Sequence, residues 1–152
     1  MKRLLSLVLL LGVGLLAQTP PSKSVQSTLL ALKDSGNSRR LLSDQLAEQM
    51  MALAKGTRPS RAAVERFSDD LTTALSGKDV TAIRASVLQR AISDLMSGKG
   101  SNFEPASKLR DTLTNCGISP PTVQGIVGRF IEIGQEVRGP DDLGVLPKDR
   151  QK

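Results

Sequence analysis

Apolar residues in this chain recur at intervals of three and four, and no stretch alternates β-branched and polar residues at every second position. The first spacing puts side chains on one face of a helix, whereas the second would put them on one face of a strand. The sequence therefore predicts an all-α protein: a compact bundle of five to six short helices, mostly antiparallel neighbours.

The breaks between apolar runs place the helices. Helix one, Ser24 to Lys33, aligns Val25, Leu29 and Leu32 and stops at Asp34-Ser35-Gly36-Asn37. Helix two starts from an N-cap at Ser38, carries Leu42, Leu46, Met50 and Leu53 on one face, and ends at Lys55-Gly56. Helix three starts at Ser60 and aligns Val64, Phe67, Leu71, Ala74 and Leu75. Asp79 is the expected cap of helix four, which runs to Ser97-Gly98, and the short Gly77-Lys78-Asp79 link predicts a tight antiparallel hairpin. Helix five, Asn102 to Cys116, lines up Ala106, Leu109, Leu113 and Cys116. Its end reads as a Schellman stop, with Gly117 left-handed and Ile118 folded back on Leu113. Helix six begins at Ser119 with Pro120 in its first position and runs to Arg138. Its stripe of Val123, Ile126, Val127, Phe130, Ile133 and Val137 makes it the expected central helix. Residues 18–138 form the predicted domain, and the Gly- and Pro-containing stretch 139–152 the predicted extended or disordered tail.

Residues 1–17 have the layout of a secretory signal peptide: Lys2 and Arg3, an apolar run from Leu4 to Leu16, then the small Ala17. The run is shorter than the roughly 20 residues a membrane span needs, so cleavage after Ala17 is expected. Leu15, three residues before the cut, is larger than the favoured Ala, which leaves an uncleaved inner-membrane tether as the alternative. With one Cys and no Asn-x-Ser/Thr sequon, the expected setting is bacterial, periplasmic or secreted. Loss of Lys2 and Arg3 would lower the formal charge from +6 to +4.

Composition then removes whole chemistries. The chain has no His, so His-based triads and His metal sites cannot be built, and a single Cys allows neither an internal disulfide nor a thiolate cluster. Three Phe with no Trp or Tyr provide no stacking platform for nucleic acid, and the Phe are assigned to helix packing. No cofactor, metal or catalytic residue is assigned. Cys116 falls on the apolar face of helix five, where it reads as a core thiol.

Candidate contacts come from residues whose placement the core does not explain. Arg84 falls within the apolar arc of helix four, so it either reaches water at the bundle end or forms a buried ion pair or anion contact. Gly125 and Gly128 lie on the polar side of helix six, where each costs about 1 kcal/mol relative to Ala. Either another backbone crosses closely there, or the helix is marginal near its start. Antiparallel packing would gather Lys33, Arg39, Arg40 and Lys78 at one end and Lys55, Arg58, Arg61 and Lys99 at the other. Arg39, Arg40 and Arg61 occupy first turns, where positive charge opposes the helix dipole. Carboxylates four residues from an Arg read as surface pairs: Arg40/Asp44, Arg61/Glu65, Arg66/Asp70 and Arg90/Asp94. Leu41 and Met51 lie off the main stripe of helix two.

The expected function is a non-catalytic binding or assembly module of the bacterial envelope or extracellular space. Its expected partner is another envelope protein or an anionic surface. The alternatives are an enzyme using carboxylate, Lys or Arg chemistry, and a membrane-tethered accessory subunit.

Overall fold

The computed structural model describes residues 24–150, with side chains through Arg138; the expected signal segment lies outside the described residues. All regular structure among them is helical: α1 (Val25–Leu30), two 3-10 turns (Ala31–Asp34 and Gly36–Ser38), α2 (Arg39–Leu53), α3 (Arg61–Leu75), α4 (Ala82–Ser97), α5 (Phe103–Asn115) and α6 (Pro120–Arg150).

Cross-links between neighbours fix their directions. Arg39 meets Asp69, Ser43 meets Ser68 and Glu48 meets Arg61, so α2 and α3 run antiparallel. Ser60 meets Glu136 and Asp70 meets Arg129, which makes α3 and α6 antiparallel. The backbone of Gln26 binds the Gln89 side chain at 2.7 Å and Lys33 faces Asp79 at 3.8 Å, so α1 runs against α4 in the same way.

The expected hairpin of α3 and α4 does not form. α3 packs on α2 and α6, while α4 packs on α1, α2, α5 and α6. The reason lies in the connection, which is longer than Gly77-Lys78-Asp79. Gly77 N–H donates to the Leu32 carbonyl at 3.0 Å, which carries the chain across the end of α1, and Val80 is buried beyond it. Thr81, not Asp79, then caps α4, its hydroxyl accepting from the Arg84 amide at 3.1 Å. The hub of the bundle is therefore α4 rather than the expected α6.

Three other boundaries differ. The last turn of helix one tightens to 3-10 after Leu30, with Ser35 N–H and Gly77 N–H both donating to Leu32 O. Ser38 makes no side-chain cap, because the 3-10 turn before it runs directly into α2. Residues 139–150, expected to be extended, continue α6 past Gly139 and Pro140 to Arg150. Proline has a helical φ but removes a helical hydrogen bond and crowds the preceding turn, so Pro140 and Pro147 are costs that this stretch of α6 carries.

Ser24 and Ser27 form a capping box at the start of α1, a cap that was not expected from the sequence. Other local expectations hold. Ser60 accepts from the Ala63 amide at 3.0 Å. At the end of α5, Ile118 N–H reaches Leu113 O at 3.2 Å and Gly117 N–H reaches Thr114 O at 3.0 Å, with Gly117 at φ 86°. These are the two bonds of the Schellman stop.

The core is continuous through all six helices. Phe67 of α3 and Phe130 of α6 are fully buried, with ring centroids 5.3 Å apart. Phe103, expected in the packing, is 74% exposed, so two of the three rings serve the core.

Truncating either buried ring to Ala should cost about 3–5 kcal/mol in urea unfolding. The double variant should fall short of the summed cost by about 0.5–1.5 kcal/mol, the coupling of a ring pair. Strict additivity in the double-mutant cycle would count against a direct Phe67–Phe130 contact.

Candidate functional site

The residues expected at one end do assemble there. Ser35 and Ser76 are hydrogen-bonded at 2.7 Å and Lys33 faces Asp79, which brings the α1–α2 and α3–α4 connections together. Arg39, Arg40, Lys78 and Arg84 surround this junction. Two of them are engaged internally. Arg39 Nη1 donates to Asp69 and to the Thr73 hydroxyl, both at 2.9 Å, and so fastens α2 to α3. Arg84 is half-buried, and its Nη1 donates at 2.9 Å to the Asp79 carbonyl. The head thus folds back over the first turn, as expected for an arginine that reaches out from the end of an apolar face. Arg40 is exposed and Lys78 half-buried, and neither forms an ion pair among the described residues.

The second candidate is a groove of about 800 Å³ between α3 and α6. Gly125 and Gly128 line it on the α6 side, opposite Asp70 and Thr73. A methyl group added at either glycine would meet nothing within 4 Å, so no other backbone crosses there. Arg129 spans the groove wall, its Nε 2.6 Å from Asp70. Asp70 therefore pairs across helices and not with Arg66, whereas Arg61 keeps its partner Glu65 at 3.6 Å and adds Glu48 at 2.6 Å. Arg40/Asp44 and Arg90/Asp94 do not come within ion-pair distance among the described residues.

The close approach expected at Gly125 and Gly128 occurs instead at Gly134. A Cβ there would lie 2.7 Å from both Leu95 Cδ1 and Asn102 Oδ1. Asn102 is itself held by Arg138 Nε at 3.0 Å. The sequence carried a signal for this, because Gly134 lies four residues after Phe130 and three before Val137, on the buried stripe of α6.

The other basic end also assembles. Lys55 N–H donates to Met96 O at 3.3 Å, Arg58 to the Met51 carbonyl at 3.4 Å, and Arg138 to the carbonyls of Lys99 and Gly100. Among the described residues, no group of three or more Cys, Asp or Glu could hold a metal ion, and no helix is long and apolar enough to cross a membrane.

Cys116 is half-buried at the end of α5, short of the full burial expected for a core thiol. Burial is the largest influence on it and pushes its pKa up, with Arg84 and Lys78 pulling the other way. Its alkylation at pH 8 should therefore be slower than that of a free thiol. The stability gained from keeping the thiol neutral is present below its ordinary pKa and lost as pH rises through the raised value.

The two classes of α6 glycine should respond oppositely to alanine. Gly125→Ala and Gly128→Ala are each expected to stabilise by up to about 1 kcal/mol. Gly134→Ala is expected to destabilise by about 1–3 kcal/mol, since buried Leu95 and the Arg138-held Asn102 must move. Urea midpoints of the three variants decide this.

Comparison with protein-family models, curated proteins and solved structures finds no match to this chain, so its functional reading rests on its own groove and loop ends.

Proposed function

We propose that this chain is an exported, non-catalytic binding or assembly module of the bacterial envelope or extracellular space. The observation that carries this reading is the α3–α6 groove and its two solvent-facing glycines. Gly134 is needed by the fold, because a side chain there would strike its neighbours. Gly125 and Gly128 are not, and each weakens the helix by about 1 kcal/mol. Without side chains they leave the groove wall open, which allows a segment of another protein to lie close to the α6 backbone.

The reading assigns no catalytic residue, cofactor or metal and expects no nucleic acid partner. With two of three rings in the core, Phe103 is the one ring left exposed, too few for a platform on which successive bases stack. Export rests on the Lys2-Arg3 and Leu4–Leu16 layout. It predicts that the intact mass of the chain recovered outside the cytoplasm corresponds to a start at Gln18.

The groove is tested by a photo-cross-linking group at Gln124, on the groove wall, in cells carrying the native envelope. Gly125→Leu with Gly128→Leu should narrow the groove, since a Cβ at either position meets nothing within 4 Å, and circular dichroism checks that the fold is kept. The expected result is a discrete cross-linked envelope protein whose yield falls at least about tenfold in the double variant, the change that 1.4 kcal/mol of lost contact produces. Cross-links unchanged by the double variant would end the proposal.

A further inference from the structure

The two ends of the bundle hold their cations for different physical reasons. Lys55 and Arg58 follow the last turn of α2, and Lys99 follows that of α4. There a positive charge is favoured by the helix dipole, and Arg58 and Arg138 donate to backbone carbonyls as well. Arg61, in the first turn of α3 and against the dipole, is offset by Glu48 and Glu65, so the fold accounts for this end. At the opposite end, the first turns of α2 and α4 contain no acidic residue and carry Arg39, Arg40 and Arg84 against the dipole. Asp69 and the Asp79 carbonyl offset Arg39 and Arg84. Arg40 and Lys78 have no ion-pair partner among the described residues. Of the acids nearby, Asp79 faces Lys33 at 3.8 Å, Asp34 lies in the turn after α1, and Asp44, Glu65 and Asp69 line a cleft with Arg40 without coming within ion-pair distance of it.

That same end carries three of the four exposed large hydrophobic side chains among the described residues: Ile83 at 77%, Leu41 at 58% and Leu30 at 37%. The Gln26–Gln89 and Lys33–Asp79 links bracket Leu30 and put it level with Ile83 on the neighbouring helix. Leu41 stands in the first turn of α2. None of the three lines the α3–α6 groove. Spaced apolar side chains interleaved with cations suit a surface that supplies phosphate groups and a fluid apolar layer without requiring shape.

We infer that this end of the bundle docks reversibly on an anionic phospholipid surface. Arg40 and Lys78 contact headgroup phosphates, while Ile83 and Leu41 enter the boundary with the acyl chains. Each Lys or Arg held near such a surface contributes modestly and is screened by salt, so the docking is weak and electrostatic. This surface is separate from the α3–α6 groove, and either can fail without the other.

The test uses the chain from Gln18 onward, which omits the apolar Leu4–Leu16 run that would itself enter lipid. The core described from Val25 to Val137 is retained, and helicity is checked by circular dichroism. Flotation with vesicles of neutral phosphatidylcholine is compared with flotation on vesicles containing about one-third phosphatidylglycerol at low salt. The expected result is retention on the anionic vesicles only, reduced at least about tenfold by Arg40→Glu with Lys78→Glu. Ile83→Ser should weaken it further, and about 0.5 M salt should abolish it. Lys55→Glu with Lys99→Glu, at the other end, should leave most of it intact. Three outcomes overturn the inference: no retention at low salt, equal retention on neutral vesicles, or equal loss from charge reversal at the two ends.

Discussion

The contact of Phe67 with Phe130 joins two helices that lie far apart in the sequence, and the shape of the bundle follows from it. α3 leaves α2 as a simple antiparallel neighbour, but α4 and α5 then depart to the other side before α6 returns to α3. Placing a fully buried ring on each helix, 5.3 Å apart, makes that return favourable, since two such rings remove a large apolar area from water. Arg129 with Asp70 and Ser60 with Glu136 then set how far α6 slides along α3. The groove with its open glycines is what remains beside this contact once the apolar stripe of α6 has turned inward.

Helical periodicity made the class of fold and most buried positions legible. The buried residues of α2, α3, α5 and α6 are those that recur at three and four, and local stop signals such as Ser60 and Gly117 act within a few residues of themselves. Packing partners were less legible, because they depend on where a connection is anchored. The Gly77 amide finds the Leu32 carbonyl, forty-five residues earlier. No local pattern announces such a bond, which holds the connection across the end of α1 where a hairpin was expected. The stretch from Gly139 differs in the opposite direction: Gly139, Pro140 and Pro147 read locally as a break, yet α6 continues through them to Arg150.

The candidate site was legible in position more than in use. Sequence spacing placed Lys33, Arg39, Arg40 and Lys78 at one end and singled out Arg84 separately, yet which of them is occupied internally depends on neighbours contributed by α3 and by the α3–α4 connection. The ion pairs show the same rule. A surface pair four residues apart is worth a few tenths of a kcal/mol, so Asp70 is readily drawn to an arginine on another helix when the register brings one within 2.6 Å. The glycines of α6 were noticed for the right reason, their cost, but the helix that packs tightly does so one turn beyond Phe130, at Gly134.

The capping box at Ser24 closes α1 on itself: the Ser27 amide binds the Ser24 hydroxyl at 3.1 Å, and the Ser24 amide binds the Ser27 hydroxyl at 3.0 Å. Both donors that begin the helix are satisfied by residues from Ser24 onward, and a free amino group at Ser24 would still donate. This cap is thus complete within Ser24–Ser27. A chain cut anywhere between Ala17 and Ser24 would keep it, so the first turn of α1 carries its own start signal.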